Sequence, residues 1–303
     1  MQVQKINEFL YLIDLEPAGF ANSIASYVVL GEKIAIVETG PTSTVNNLLV
    51  GLKEIGIEFG DVDFIAVSHI HIDHGGGVGT LMKHLLNAKL IVHPRGAPHL
   101  VNPEKLWTQS KQVLGEVAEL YGEPEPVSPE RVIQASDGMA ISLGRNIELE
   151  ILETLGHASH HFSYCEKSGK IIFLGDAAGI HLNRFDVLVP TTPPPFHLEI
   201  TLSSINKLIQ KAPKLLCYTH FGVAKNAIEK LERYAAQLRL WADVVANGVK
   251  KGETLETIHE NINKKDQTLK AVTSYMKTHP IMSRGIVKQS VQGFMEYFLK
   301  QTK

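Results

Sequence analysis

Short apolar segments recur through the first two thirds of the chain, and most are rich in β-branched residues. Several are followed by Gly, His, Asp or Pro, a pattern typical of β-strands. Residues 167–170, Lys-Ser-Gly-Lys, predict a tight turn that joins two of these segments in a hairpin. The predicted strands cover residues 34–38, 64–67, 90–92, 147–152, 162–166, 171–174 and 215–218.

Helical periodicity occupies the intervals between these strands, at 45–55 and 79–86. This alternation favours layered sheets flanked by helices. A longer helical pattern fills residues 102–122, where Asn102 suits an N-cap and Gly122 suits the helix end. Because this helical insertion lies between two motif-bearing regions, we expect it to shape the substrate site.

From about residue 223 onward the apolar residues recur at helical spacing. We therefore divide the chain into a catalytic domain, 1–222, and a C-terminal helical segment, 223–303, packed on it. That segment is expected to cover the pocket, mediate dimerisation or complete the core, and the pattern does not choose among these roles. Its predicted apolar faces comprise Ile228, Leu231, Tyr234, Leu238, Trp241 and Val245, and then Val287, Val291, Phe294 and Phe298.

Composition is that of an ordinary globular protein, with 303 residues, 44% hydrophobic and 20% charged. A net charge of -2 gives no electrostatic basis for binding nucleic acid. We find no apolar run of membrane-spanning length and no signal-peptide core, so we expect no membrane association and a cytoplasmic location. Cys165 and Cys217 lie in apolar segments and are expected to be buried free thiols. The 14 histidines instead indicate nitrogen-ligand chemistry.

The strongest motif is Ser-His-Ile-His-Ile-Asp-His-Gly-Gly-Gly at 68–77, directly after a predicted strand. His69 and His71 alternate by two, so on an extended backbone they point to the same side. Asp73 and His74 follow where the chain leaves the strand. Three imidazoles and a carboxylate converging at a strand end suit Zn²⁺ or another borderline divalent ion.

Three further positions place one His or Asp beyond an apolar strand and within two residues of a glycine, namely His157, Asp176 and His220. Loops at strand ends commonly present functional groups on a rigid scaffold. Together with the motif at 68–77 they give seven potential ligands, enough for two metal ions that share one carboxylate. We take zinc as the first choice, with iron or manganese as alternatives.

In these motifs and their order, residues 10–222 resemble the metallo-β-lactamase superfamily. The resemblance implies a four-layer αββα sandwich with a C-terminal helical extension and metals at the edge of the central sheets. Segments 93–100 and 156–161 look most like little-characterised prokaryotic hydrolases related to glyoxalase II. The ligands so implied are His69, His71 and His157 for the first metal, Asp73, His74 and His220 for the second, and Asp176 as the bridge.

One departure from the family pattern is Glu38-Thr-Gly, where Asp-Thr-Gly is usual; that residue supports the metal loop in the family. Arg95, in a Pro- and Gly-rich loop, could hold a substrate carboxylate or phosphate, and a structural ion pair is an equal alternative. Among the other histidines, we expect His84, His197, His259 and His279 to be exposed and His160 and His161 not to be ligands.

We expect a dinuclear hydrolase in which a metal-bridging hydroxide attacks an ester, thioester or lactone of a small metabolite, with Asp73 orienting the hydroxide. A small-molecule phosphodiesterase and a mono-iron persulfide dioxygenase remain alternatives, as does a non-catalytic metal-binding module. The expected partner is a small-molecule substrate, and a homo-oligomer is possible. The loop 180–198 and the helical insertion should shape the substrate pocket.

Overall fold

The β-strands agree closely with the predicted apolar segments. A computed structural model of the chain describes residues 2–279 and 282–301. In order, the strands are β1 (Val3–Lys5), β2 (Leu10–Asp14), β3 (Ala25–Leu30), β4 (Ile34–Val37), β5 (Val62–Ala66), β6 (Lys89–Val92), β7 (Val132–Gln134), β8 (Ala140–Gly144), β9 (Ile147–Glu153), β10 (Phe162–Glu166), β11 (Ile171–Gly175), β12 (Ile180–Leu182), β13 (Val187–Val189), β14 (Leu215–Tyr218) and β15 (Gly222–Ala224).

Two large sheets contain most of these strands. The first has the order β1-β2-β3-β4-β5-β6-β7, antiparallel up to β4 and parallel from β4 to β7. The second has the order β15-β14-β11-β10-β9-β8, in which only the β11–β14 pair is parallel. The predicted hairpin is confirmed, since Glu166 pairs with Ile171. Strands β12 and β13 form a separate small sheet.

Ten α-helices flank the sheets within the described residues. They are α1 (Val45–Glu54), α2 (Val78–Met82), α3 (Ala97–Val101), α4 (Glu104–Leu114), α5 (Glu116–Tyr121), α6 (Leu198–Gln210), α7 (Ala227–Lys250), α8 (Leu255–Lys265), α9 (Gln267–Thr278) and α10 (Ile286–Gln301). None of the helices in the described part of the chain is long and apolar enough to cross a membrane.

Three layers of buried apolar side chains hold the elements together. Between the two sheets, Tyr27 packs edge-on against Phe173 with ring centroids 5.4 Å apart. The outer face of the first sheet packs against α1, α2, α4 and α5, and the outer face of the second packs against α6 to α10. The predicted αββα sandwich with a C-terminal helical region is therefore confirmed. Apolar burial on both faces of each sheet is the main stabilising contribution.

The two sheets are also joined by buried tyrosine hydroxyls. Tyr27 donates to the carbonyl oxygen of Tyr218 at 2.7 Å, and Tyr164 donates to that of Val67 at 2.7 Å. Each acceptor lies at the end of a strand, just before a loop that carries predicted metal ligands. These bonds hold the adjoining strand ends of the two sheets in register.

Residues 102–122, the predicted helical insertion, contain two helices, α4 and α5, with a break between them. Gly115 separates α4 from α5 with φ 56° and ψ -128°, a conformation open essentially to glycine alone. The helix pattern had predicted one continuous element over 102–122. A glycine inside a helical pattern was the available signal for this break.

Other details of the helical prediction are wrong. Ile228 is 39% exposed, whereas its neighbour Ala227 in the first turn of α7 is buried. His279 is buried, although exposure was predicted. The segment 79–86 contains only the short helix α2. Strand β15 spans the boundary proposed at residue 222, so the second sheet continues into the C-terminal segment.

Candidate metal centre

The predicted ligands lie together at one edge of the sandwich, each beyond the end of a strand. The loop 68–77 follows β5, and His157 follows β9. Asp176 comes directly after β11, and His220 lies two residues beyond β14. All seven side chains therefore lie beyond the ends of four strands from two packed sheets. The packing of these strands determines their positions.

A first group consists of three imidazoles. His69 Nε2 lies 2.9 Å from His71 Nδ1, and His157 Nε2 lies 3.0 Å from the same atom. Atoms at the corners of a tetrahedral zinc site are about 3.3 Å apart, since Zn–N bonds are about 2.0–2.1 Å. The three nitrogens are thus spaced as ligands of one small cation.

A second group combines two imidazoles with a carboxylate. His220 Nε2 lies 3.2 Å from His74 Nε2 and 3.5 Å from Asp73 Oδ2. His74 is fully buried, whereas Asp73 keeps a quarter of its side chain exposed. The ligand atoms of this group lie within 4.8 Å of one another, as do those of the first group. Two adjacent cation sites are therefore available.

Asp176 lies between the two groups. Its Oδ2 is 3.5 Å from His157 Nε2 in the first group, and its Oδ1 is 3.3 Å from His74 Nε2 in the second. Oδ1 is buried, and although the ring nitrogens of His74 and His220 lie 3.3 and 3.7 Å away, no described residue makes a well-formed hydrogen bond to it. A buried carboxylate oxygen without a hydrogen-bond partner is costly, and a cation is the partner that would compensate it.

The outward ring nitrogens show which atoms face the centre as acceptors. His157 Nδ1 lies 2.9 Å from the carbonyl oxygen of Thr191, and His220 Nδ1 lies 3.1 Å from that of Ser23. A carbonyl oxygen carries no hydrogen, so in each case the ring nitrogen donates. The Nε2 lone pairs are thereby left pointing at the centre, which is the tautomer that metal ligation requires.

Glu38 holds the metal loop from below. Its Oε2 lies 2.5 Å from His74 Nδ1, and its Oε1 accepts a 2.5 Å hydrogen bond from the backbone N–H of Ser68. The side chain is 1% exposed. The glutamate side chain, one methylene longer than the usual aspartate, thus contacts both His74 Nδ1 and the Ser68 N–H. This agrees with the supporting role expected for this position.

Electrostatics in the centre favour added positive charge. Burial, and then the neighbouring imidazoles, lower the pKa of His69 well below its ordinary value and that of His71 to about 3, so both rings are neutral. Burial also lowers the pKa of His74, but the carboxylates of Asp176 and Glu38 outweigh it and raise that pKa well above its ordinary value. The same carboxylate field that holds a proton here would attract a divalent cation.

His161 is a supporting residue whose contacts the sequence did not reveal. Its Nε2 accepts a 3.0 Å hydrogen bond from the backbone N–H of Asp176, so its Nδ1 carries the proton and donates to Thr154 Oγ1 at 2.9 Å. The chain continues to Ser163 Oγ and the carbonyl oxygen of Leu174. This buried network holds Asp176 in place, and adjacency to His157 was its only signal.

A cavity of about 630 Å³ opens onto the two groups. The helical insertion lines one wall, and the loop 190–195 and the start of α10 line another. Both predicted pocket-forming segments, 102–122 and 180–198, contribute side chains. The volume is that of an ordinary small-molecule site.

Arg95 lies beside this cavity without lining it. The side chain is exposed, and Nη1 donates to the carbonyl oxygen of Ser159, a cavity residue, at 3.2 Å. Its proposed contact with substrate remains a prediction.

The donor set fits the metals named from the sequence. Imidazole nitrogens with carboxylate oxygens suit zinc, iron and manganese, and both cysteines lie in buried apolar clusters and in none of the described ligand groups. The buried Asp176 Oδ1, which lacks a well-formed hydrogen bond, and the Nε2 lone pairs of His157 and His220 also indicate a metal site. The chain therefore carries metal-binding groups.

The sequence profile of the metallo-β-lactamase superfamily matches residues 19–220. The chain belongs to this superfamily. The metallo-β-lactamase fold-containing protein ST1585 of the archaeon Sulfurisphaera tokodaii is 27% identical over 247 residues, which is 79% of this chain and 89% of the relative. A Methanocaldococcus jannaschii protein named "Probable metallo-hydrolase MJ0888" is 27% identical over 139 residues, 46% of this chain and 60% of that protein.

Solved structures agree with the family assignment. The crystal structure of ST1585 superposes with a TM-score of 0.64 and 25% identity, over 76% of this chain and 86% of that one. A metallo-β-lactamase family protein of Thermus thermophilus, TTHA1429, has a TM-score of 0.72 over 98% of this chain and 95% of its own, and at 19% identity it supports the fold alone. The relation to glyoxalase II remains a prediction.

Proposed function

We propose that this chain is a dinuclear metal-dependent hydrolase that cleaves an ester, thioester or lactone of a small metabolite. The observation that carries the proposal is the position of Asp176, which offers one carboxylate oxygen to each of two groups of ligands. Superfamily membership and a relative named as a metallo-hydrolase support a hydrolytic reaction.

The chain's own residues divide the work. His69, His71 and His157 would hold one ion, and Asp73, His74 and His220 the other, with Asp176 shared. Divalent ions bound in this way polarise a carbonyl oxygen and lower the pKa of water toward about 7. Zinc is our first choice because nitrogen ligands predominate.

Asp73 has a second role in this proposal. Its carboxylate lines the cavity, where a substrate carbonyl would enter. One oxygen, Oδ2, faces His220. The other, Oδ1, would accept a hydrogen bond from the attacking water and then its proton. The proton would pass to the leaving group as the acyl bond breaks.

Metal analysis joined to a substrate panel tests the proposal. We expect about two divalent ions per chain and hydrolysis of at least one ester, thioester or lactone. His71→Ala and Asp176→Ala should lower the metal content and abolish hydrolysis while the circular dichroism spectrum is retained. His84→Ala, which changes an exposed histidine, is the matched control.

Other outcomes would overturn the proposal. Undiminished hydrolysis by metal-free protein would exclude it. One iron per chain with oxygen uptake on a persulfide would establish the dioxygenase alternative. Turnover of a small phosphodiester alone would establish the phosphodiesterase, and tight metal binding without any turnover would indicate a binding module.

A further inference from the structure

The walls of the cavity differ from its floor in the charged groups that line them. On the floor lie the metal-centre residues, including the two carboxylates of Asp73 and Asp176. Among the described residues they are the only carboxylates that line it, and none of the described lining side chains is a lysine or an arginine. Imidazoles such as those of His99 and His279 also line it, so an anionic group buried away from the metal centre would find no described lining partner with a permanent positive charge, which is costly.

Apolar side chains contribute to two walls, beside polar ones such as those of Gln109 and Gln289. Val113, Leu114 and Val117 line the cavity from the helical insertion, and Met282 and Ile286 line it from the segment before α10 and from its first residue. Val113 is 64% exposed and Val117 only 4%, so the apolar surface extends from the cavity mouth inward. Contiguous exposed apolar surface next to a reactive centre is typical of a ligand groove.

We infer that the remote part of the substrate is an uncharged, extended acyl chain that lies between the helical insertion and α10. The cavity of about 630 Å³ lies within the range of small-molecule sites, roughly 300–1,000 Å³. An acyl chain of medium length with a small leaving group fits this space. The expectation rests on the hydrolase function proposed above, and it disfavours dicarboxylic acyl groups and phosphorylated substrates.

A thioester series on one uncharged thiol, N-acetylcysteamine, tests the inference. With the metal-loaded protein, kcat/KM should rise two- to fourfold for each methylene from acetyl to octanoyl, since a buried CH₂ contributes up to about 0.8 kcal/mol. Succinyl thioester differs from butyryl in carrying a carboxylate in place of the terminal methyl. It should be at least tenfold poorer.

A variant at the mouth makes the test specific. Val113→Glu should lower the octanoyl-to-acetyl ratio of kcat/KM at least tenfold, because it places a charge beside the chain but away from the metal centre. Val50→Glu is the matched control, since Val50 is 46% exposed on α1 and does not line the cavity. Val50→Glu should change the turnover of neither the acetyl nor the octanoyl thioester.

Binding of uncharged amides separates this inference from the hydrolase proposal. N-methyloctanamide should bind more tightly than N-methylacetamide in calorimetry, and Val113→Glu should weaken only the former. If the amides behave so but no thioester is cleaved, the hydrolase proposal fails and the acyl groove stands. Equal turnover of acetyl and octanoyl thioesters, or a preference for succinyl over butyryl, would overturn the groove alone. Absence of both hydrolysis and chain-length-dependent binding would overturn both.

Discussion

Glu38 has a backbone conformation that residues other than glycine rarely adopt. Its φ is 69°, in the left-handed region, which costs a non-glycine residue of order 1 kcal/mol or more. The carboxylate compensates by accepting hydrogen bonds from the Ser68 N–H and from His74 Nδ1. The backbone strain at Glu38 is tolerated because of these hydrogen bonds. The contacts of the carboxylate, and not the local backbone preference of a glutamate, therefore explain its conformation.

Glu38→Gln should therefore weaken metal binding. Oε1 could still accept the Ser68 N–H, but the new amide N–H groups would face His74 Nδ1–H, so two donors would oppose each other. We expect a 10- to 100-fold loss of metal affinity, the usual effect of removing such a partner. Competition with a chromophoric chelator measures it.

Glu54→Gln provides the matched control, since Glu54 is an exposed residue of α1 and should leave the affinity unchanged. Circular dichroism should be the same for both variants. Equal metal affinity of Glu38→Gln and the unchanged protein would show that Glu38 only fills space.

Helix α10 is connected to the metal centre through a buried loop. Ser290 Oγ donates to the carbonyl oxygen of Pro190 at 2.8 Å and accepts from the backbone N–H of Thr192 at 3.2 Å. Between those two residues, Thr191 provides the carbonyl oxygen that accepts from His157 Nδ1. The C-terminal segment thus completes the core and supports one ligand.

Gly293→Ala tests this connection. A methyl group at Gly293 would lie 1.9 Å from the carbonyl oxygen of Thr192, so α10 and the loop must separate. We expect the free energy of unfolding to fall by about 1–3 kcal/mol, as for other overpacked sites, and metal affinity to fall with it. Denaturant titration and chelator competition measure the two effects.

The same change at Gly60 serves as control, because a methyl group there meets only Asn87, at 3.9 Å. Gly60→Ala should alter neither quantity. A fully stable Gly293→Ala variant with reduced metal affinity would still support the link from helix to ligand, whereas lost stability with unchanged affinity would contradict it.

Local pattern and long-range pairing differ in what the sequence reveals about these elements. The motif at 68–77 and the strand before it were predictable, because strand periodicity and ligand spacing are both local. The parallel pairing of β4 with β5 and of β11 with β14 was not, since it depends on contacts distant in sequence. Nor was the Thr154–His161 network, whose residues become neighbours only when β9 pairs with β10.

The two cysteines report on different layers of the sandwich. Cys217 is 1% exposed between the two sheets, and Cys165 is 4% exposed in the core formed by the second sheet and the C-terminal helices. That outer core runs without interruption from β9 to α10. We therefore expect residues 1–222 and 223–303, the two parts into which the sequence pattern divides the chain, to unfold together.

Thiol alkylation tests this cooperativity and its pH dependence. Burial raises the pKa of Cys165 to about 11 and that of Cys217 well above its ordinary value. Only roughly 1% of Cys165 would be thiolate at pH 9, where a thiol of ordinary pKa, about 8.5, is mostly ionised. At pH 7 or 9, neither cysteine of the folded protein should react with iodoacetamide except through global opening, so both should be labelled slowly and at the same rate. Because the folded pKa values exceed the unfolded ones, the free energy of unfolding should decline as pH rises above about 8.5. Mass spectrometry of native and denatured samples checks both expectations, and rapid native labelling of Cys165 alone would mean that the C-terminal helices open independently of the sheets.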